Sequence, residues 1–410
     1  MTVSSFADLG LSGRLLNALK QTDYKTPTPI QAQAIPQLLE RSDLLGIAQT
    51  GTGKTAAFTL PLLHNLEQDD EPAKPRRTRA LILAPTRELG IQIADNIKTY
   101  GRKMRLRLSV VIGGVSTRPQ ARTLQRGSNI IVATPGRLLD MINQGHIDLC
   151  ETKYLVLDEA DRMLDMGFIR DVRKIAATLP ERHQAILFSA TMPPAIAKLA
   201  SELLVEPTRV EIAAKSVAVD RIVQQVHHLE TGAKNKLLAE LLEAPEMERV
   251  IVFTRTKRGA DRVTKNLNNA GIKAEAFHGN KSQGARQRTL SSFRKGGTRV
   301  LVATDIASRG IDVDHITHVV NFELPNVPED YVHRIGRTAR AGTDGTAISF
   351  CDASERGHLR SIEKVIKRSL IVIGNEPTGP DAKPVKPRNR RFSKSRNARP
   401  RRRQSAPRAA

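Results

Sequence analysis

The sequence predicts two α/β domains in series, each a parallel sheet with helices on both faces, followed by a basic tail. Three observations predict this. Short β-rich apolar runs alternate with helical patterns twice along the 410 residues. The runs are continuously apolar, as strands buried on both faces require. Past about residue 375 the composition turns abruptly to Lys, Arg, Pro, Ser and Asn. The length accommodates roughly two to three domains.

Residues 1–33 carry short helical patterns broken by Thr26-Pro27-Thr28-Pro29. The first α/β domain is expected over 34–210, with strand runs at Leu44–Ala48, Ala80–Ala84, Leu108–Ile112, Ile130–Ala133, Tyr154–Leu157 and Ala185–Phe188. Residues 211–221 are weakly patterned and read as a linker. The second domain is expected over 222–372, with runs at Val250–Thr254, Ala274–His278, Val300–Ala303, His318–Asn321 and Ala347–Phe350. Residues 373–410 form the tail. Between 381 and 410 it holds twelve Lys or Arg against one acid, Asp381, nearly half of the chain's net charge of +23. With almost no apolar residues it cannot bury a core. Such a block is either a solvated solubility tail or a nucleic-acid-binding arm, and the arm is the favoured reading.

Composition narrows the function. Hydrophobic residues are 40% and charged residues 26%, globular values that exclude collagen-like, wholly disordered and disulfide-scaffold chains. No stretch approaches the ~18 uncharged apolar residues of a membrane span. The opening MTVSSFADLG has no basic n-region or apolar h-region, so no export signal is expected. The two cysteines, Cys150 and Cys351, suit a reducing cytoplasm and build neither a metal site nor a framework. A pI near 10.4 favours polyanions, nucleic acid first and anionic membrane second. Aromatics are 3% with no Trp, too few for a long stacking platform, so the nucleic-acid backbone is the expected handle.

Two segments carry phosphate chemistry. Ala48-Gln49-Thr50-Gly51-Thr52-Gly53-Lys54-Thr55 follows a strand run and opens a helical one. That is the context of a phosphate-cradling loop, with Ala48 where the general pattern has Gly. Its backbone amides face phosphate oxygens, Lys54 reaches the β- and γ-phosphates, and the Thr55 hydroxyl ligates Mg²⁺. In Tyr154-Leu155-Val156-Leu157-Asp158-Glu159-Ala160-Asp161 a buried strand ends in two acids. Asp158 suits the Mg²⁺, and Glu159 suits orienting or deprotonating an attacking water.

With these motifs in this order the chain resembles the DEAD-box ATP-dependent RNA helicases, from about Phe6 to about Cys351. Arg162-Met163-Leu164-Asp165-Met166-Gly167-Phe168 resembles the bacterial RhlE-type subgroup. The resemblance implies two tandem RecA-like domains, with ATP and Mg²⁺ as cofactors. It implies an RNA-stimulated ATPase that unwinds or remodels RNA duplexes as the domains close. Single-stranded and duplex RNA are the implied partners, bound with little sequence preference. Ribosome assembly with ribosomal precursors, or RNA turnover with the degradation machinery, is the implied setting, in the cytoplasm and off the membrane.

The resemblance also assigns residues. Residues 1–33 resemble the adenine-reading segment: Gln31 pairs with the adenine edge, Tyr24 stacks on the ring, and Phe6 is the isolated upstream aromatic. Asp23 stands where Gly is usual. Asp161 with Ser189-Ala190-Thr191 couples nucleotide state to closure. The implied RNA contacts of the first domain are Pro85, Thr86, Arg87, Gly113, Gly114, Thr134 and Arg137, each just after a strand run. Those of the second are Thr254, Arg255, Gly279, Arg286, Thr304, Arg309 and Gly310, in segments that include His278 and Gln283. Asp312 binds the ribose. Arg337 and Arg340, in His333-Arg334-Ile335-Gly336-Arg337-Thr338-Ala339-Arg340, reach the γ-phosphate as arginine fingers; Ala339 stands where many members have Gly. An ATP-independent RNA annealer and a DNA motor are the competing readings. Gln31 and the Asp161 ending argue against the motor.

Overall fold

Burial on both sides of each strand sets the architecture. A computed structural model describes residues 5–374 apart from 23, 50, 70, 213–220, 309–312, 314 and 340–343. The first sheet contains β1 (Leu44–Ile47), β2 (Thr78–Leu83), β3 (Leu108–Val111), β4 (Ser128–Ala133), β5 (Tyr154–Leu157), β6 (Gln184–Ser189) and β7 (Thr208–Glu211). Their order across the sheet is β3-β4-β2-β5-β6-β1-β7, all parallel. Around them lie α1 (Gly13–Gln21), α2 (Pro29–Leu39), α3 (Lys54–Asp69), α4 (Arg87–Tyr100), α5 (Thr117–Gln125), α6 (Pro135–Asn143), α7 (Ala160–Asp165), α8 (Ile169–Ala176) and α9 (Pro194–Leu203).

Successive strand residues point to opposite faces. Leu44, Ala80, Ile82, Val156 and Ile186 join one core with α2, α3 and α4. Leu45, Leu81, Leu83, Leu155 and Leu187 join the other with α6 to α9. Both faces are dry, which is why these strands read as unbroken apolar runs.

The second sheet repeats the plan with β8 (Ile222–His228), β9 (Val250–Phe253), β10 (Ala274–Phe277), β11 (Val300–Ala303), β12 (His318–Asn321), β13 (Gly345–Cys351) and β14 (Ile371–Ile373), in the order β10-β11-β9-β12-β13-β8-β14. Its helices are α10 (Lys234–Leu242), α11 (Lys257–Asn269), α12 (Gln283–Arg294), α13 (Asp305–Ser308), α14 (Pro328–Ile335) and α15 (Arg356–Ile366).

The expected strand runs all form strands, within a residue or two at their ends. Three strands carried no apolar run. β7 buries only Val210, β8 alternates buried Ile222, Gln224 and Val226 with more accessible neighbours, and β14 is a three-residue edge. β7 takes in Glu211, the first residue of the expected linker. Residues 213–220 of that linker, and the tail from 375, lie outside the described residues. Among the described residues no helix is long and apolar enough to cross a membrane.

All strands of each sheet run one way, so the loops at their C-terminal ends share one rim, where α/β sheets bind ligands. β1 delivers the phosphate loop to that rim between β6 and β7. Gly46 in β1 pairs in register with Phe188 of β6. A Cβ at Gly46 would sit 2.2 Å from the Phe188 ring, which is itself fully buried. Gly46→Ala should therefore cost about 1–3 kcal/mol through overpacking. Urea unfolding at an unchanged m-value checks this.

Candidate nucleotide and nucleic-acid site

The phosphate loop joins β1 to α3. Lys54 is the first residue of α3, and its buried Nζ donates to the Ala48 carbonyl at 2.9 Å. The Thr52 hydroxyl donates to the Gln49 carbonyl, and Gly51 and Gly53 take left-handed φ values of 85° and 92°. Thr55 occupies the first turn of α3; Thr50 lies outside the described residues.

The 24–31 segment docks directly on this loop. Gln31 is fully buried. Its Nε2 donates to the Gly53 carbonyl at 2.9 Å and to the Tyr24 hydroxyl at 2.6 Å, while Oε1 accepts from the Thr28 amide. A Cβ on Gly53 would lie 2.4 Å from that Nε2, so this approach requires glycine. Phe6 is 3% exposed and sits in the core, its ring 5.3 Å from that of Tyr24. It backs Tyr24, which is the more accessible ring of the two. Asp23 is outside the described residues.

At the end of β5, Asp158 and Glu159 are both buried. Burial pushes the Asp158 carboxyl up to about 6; the Lys54 charge opposes the shift and Glu159 adds to it. Asp158 Oδ1 has no hydrogen-bond partner. An orphaned buried carboxylate oxygen beside a buried ammonium fits a site completed by a cation and an anion. Glu159 has φ 56° and ψ 53°. That left-handed geometry costs a side-chain-bearing residue about 1–2 kcal/mol, and such strain concentrates at functional sites. Arg162 Nε lies 3.2 Å from Glu159 Oε2, an ion pair off the angle of a hydrogen bond.

Asp161 is tied to the rim of β6. Its Oδ2 accepts from the amides of Ala190 and Thr191 and from the Thr191 hydroxyl, at 3.0–3.2 Å. Its own amide donates to Ser189 Oγ, which in turn donates to the Thr191 carbonyl. The expected pairing of these two segments is thus formed.

Pro85, Thr86 and Arg87 follow β2, Gly113 and Gly114 follow β3, and Thr134 to Arg137 follow β4, all on the same rim. Thr86 caps α4 through the Leu89 amide. Arg87 packs over the Gly113–Gly114 turn, and Arg137 donates to the Val115 carbonyl at 3.1 Å.

In the second lobe Thr254, Gly279 and Thr304 stand at the rim ends of β9, β10 and β11. Arg255 is held from within: its amide donates to Glu323 and its guanidinium faces Glu323 and Glu355. Glu355 in turn pairs with Lys234, which also lies 3.1 Å from Asp352. Arg286 is 8% exposed, pairs with Glu88 of the first lobe at 3.0 Å, and stacks over Phe277. Gln283 donates to the same carboxylate at 2.9 Å. Its Oε1 accepts from Arg87 at 3.4 Å. Both residues expected on RNA are therefore engaged across the lobes, a pairing between positions about 200 apart that no spacing in the sequence announces. Arg334, absent from the expected set, is buried, bidentate on Asp305 and stacked over Phe253. Arg337 is buried with Nε donating to the His333 carbonyl. Ala339 takes φ 54°, the left-handed region that glycine enters freely. Arg309, Gly310, Asp312 and Arg340 lie outside the described residues.

The chain is similar to known proteins along most of its length. A family model described as DEAD/DEAH box helicase matches residues 28–199, and one described as helicase conserved C-terminal domain matches 233–342. The DEAD-box ATP-dependent RNA helicase CshA of Bacillus cereus (strain ATCC 10987 / NRS 248) is 43% identical over 90% of this chain and 69% of its own. That of Bacillus subtilis (strain 168) is 44% identical over 92% and 75%. Saccharomyces cerevisiae Dbp5 bound to RNA and ADP BeF3 has a TM-score of 0.80 at 32% identity, covering 90% of this chain and 95% of that one. A DEAD box protein from Methanococcus jannaschii, 38% identical over 90% and 99%, has a TM-score of 0.53. Both lobes are thus RecA-like.

The Lys234 cluster yields a test. Burial raises the Asp352 carboxyl, but hydrogen bonds from Ser354, Lys234 and Thr231 outweigh it and hold the group at about 2. Its contribution to stability is full above the ordinary carboxylate value of about 3.9 and is lost as pH falls toward 2. Lys234→Met leaves buried Asp352 without its cation and Glu355 with Arg255 alone, and should cost about 3–5 kcal/mol at neutral pH. Denaturant unfolding at pH 7 and at about pH 2.5 checks both size and sign, because protonating Asp352 should narrow the gap between variant and parent.

Proposed function

Since the chain belongs to the DEAD-box ATP-dependent RNA helicases, we propose that its two rims form one ATP- and RNA-binding cleft. ATP hydrolysis then drives local separation of RNA duplexes. One observation carries this reading. Buried Lys54 in the phosphate loop acts electrostatically on Asp158, whose Oδ1 is orphaned, with Glu159 strained beside Asp158 and Asp161 bonded to the β6 rim.

In the proposed mechanism Ala48 to Thr55 cradles the triphosphate. Lys54 exchanges the Ala48 carbonyl for the β- and γ-phosphates. Tyr24 stacks on the adenine, and Gln31, already fastened to Gly53, reports base occupancy to the loop. Thr55 and Asp158 would hold Mg²⁺, which would supply charge neutralisation at the phosphate oxygens. Glu159 orients the attacking water and takes its proton. Arg337 and Arg340 supply transition-state charge from the second lobe; such fingers are worth about 10³–10⁵ in rate. Asp312 takes the ribose.

RNA crosses the two rims along Pro85–Arg87, Gly113–Gly114 and Thr134–Arg137 in one lobe, and Thr254–Arg255, Gly279, Thr304 and Arg309–Gly310 in the other. Arg255 and Arg286 act as positioning residues, their guanidiniums occupied by carboxylates. ATP and single-stranded RNA each bridge the lobes, so each favours closure and each strengthens the other's binding. The Glu88 pairing with Gln283 and Arg286 supports a closed arrangement as the working state. So does the better superposition on the RNA-bound Dbp5 than on the more identical archaeal protein. Backbone contacts make recognition independent of sequence. The Arg162–Phe168 segment favours the RhlE-type subgroup, while the relatives above carry the CshA name. A cytoplasmic setting in ribosome assembly or RNA turnover fits this activity.

Glu159→Gln should keep ATP affinity while RNA-stimulated turnover falls at least about 100-fold. Steady-state phosphate release with and without RNA checks it, and parent-like turnover removes Glu159 from this role. Parent protein whose hydrolysis ignores RNA would return the annealer reading. Deleting residues 381–410 should weaken RNA binding and flatten the log–log salt dependence, since each phosphate contact adds about 0.7–0.9 to the slope. Fluorescence titrations at several salt concentrations measure that slope; an unchanged value makes the segment a solubility tail.

A further inference from the structure

The outer edge of the first lobe carries charge that the cleft does not use. Between Asp95 and Asp140 the sequence holds nine lysines and arginines and no acid. In the fold this stretch includes the 101–107 loop, the edge strand β3 and α5. Arg118, Arg122 and Arg126 follow one another at four-residue intervals, so they stack along one face of α5, and all three are exposed. Arg102, Lys103 and Arg105 are exposed on the loop. None of the three α5 arginines has an ion-pair partner among the described residues.

This arrangement is unfavourable by itself. Like charges four apart destabilise a helix, and α5 has no acid to offset them. A polyanion laid along this face relieves the repulsion. The row from Arg118 to Arg126 spans about 12 Å at helical rise, and a duplex presents about one phosphate per 1.7 Å along its axis.

The helix is also fixed relative to the cleft. The Gln120 side chain accepts from the Ile112 amide at 3.0 Å and donates to the carbonyls of Ile112 and Ser116. Arg137 donates to the Val115 carbonyl in the same turn. The arginine row therefore continues rigidly outward from Gly113–Gly114. A membrane partner fits poorly, because the apolar residues of α5, Ala121 and Leu124, face the sheet.

We infer that the exposed face of α5, with the 101–107 loop, is a second RNA-binding surface. It takes the phosphate backbone of duplex flanking the strand held in the cleft. The inference rests on the proposed RNA path through Gly113–Gly114. It assigns the folded lobe, and not the tail alone, a part in holding structured RNA.

The test is the full-length Arg118→Gln, Arg122→Gln, Arg126→Gln triple variant, titrated with two RNAs in the presence of a non-hydrolysable ATP analogue. One is a single strand just long enough for the cleft. The other is the same strand joined to a long duplex. The variant should bind the short strand and reach maximal ATPase rate as the parent does. For the duplex-flanked RNA its log–log salt slope should be smaller by about 2–3, so that the parent-to-variant affinity ratio shrinks roughly 16- to 64-fold between about 50 and 200 mM salt. Equal affinity for the duplex-flanked RNA, or equal losses on both RNAs, overturns the inference. So does a variant that keeps duplex-flanked RNA but loses binding to phosphatidylglycerol vesicles. Parent protein lacking RNA-stimulated ATPase activity would instead refute the cleft mechanism, and the two-RNA comparison would still read the α5 surface.

Discussion

The buried carboxylate of Glu88 is the contact on which the two-lobed arrangement turns. It accepts from Gln283 and pairs with Arg286, both from the second sheet's side of the molecule. A buried charge without its partner is strongly destabilising, so this acid is secure only while the other lobe is present. The same economy explains Arg286: the positive charge is shielded from solvent, braced on the Phe277 ring, and directed at one acceptor. Glu88 also sits one residue from Arg87, which lies over the Gly113–Gly114 turn. The lobe contact and the Gly113–Gly114 turn proposed to meet RNA are thereby joined through neighbouring residues.

Within the first lobe a chain of hydrogen bonds runs through the site. It starts at the Tyr24 hydroxyl, passes through Gln31 to the Gly53 carbonyl, and enters the phosphate loop. The loop is pinned to β6 where the Ala48 amide donates to the Ser189 carbonyl. From Ser189 the chain continues to Asp161 and Thr191. Three links join segments more than 20 residues apart, so a change at the Tyr24–Gln31 end has a physical route to the acidic end. Against this well-satisfied background the unsatisfied groups stand out. Asp158 Oδ1 lacks a partner and Glu159 is strained, features that support the roles proposed for them toward metal and water.

Charge is distributed on two scales. Short-range pairs such as Lys234 with Glu355 and Arg334 with Asp305 are buried and fix the second lobe's rim. Long-range charge is left without ion-pair partners among the described residues on α5 and the 101–107 loop, and the sequence of the tail adds twelve more basic residues between 381 and 410. The first kind sets geometry, and the second sets salt-dependent attraction to phosphate.

Local pattern along the chain is enough for the fold class, the strands buried on both faces, and the phosphate loop with its paired acids. Each is encoded locally: continuous apolar runs leave no ambiguity of face, and Gly51, Gly53 and Lys54 lie within four positions. The family resemblance pointed to the 24–31 segment, which docks on the phosphate loop, and to the Asp161–Ser189 hydrogen bonding, which the structure contains. Strands β7, β8 and β14 escaped because none is buried on both faces: β7 and β14 lie at sheet edges, and β8 beside β14 buries only alternate residues. Only the tertiary structure decided that Phe6 backs Tyr24, that Gln31 is wedged on Gly53, that Arg255 and Arg286 are held by carboxylates, and that Lys234 and Arg334 are buried ions. Those facts depend on which side chains meet across 20 to 200 residues of chain. Burial and partner choice at that range are properties of packing, and no local pattern records them.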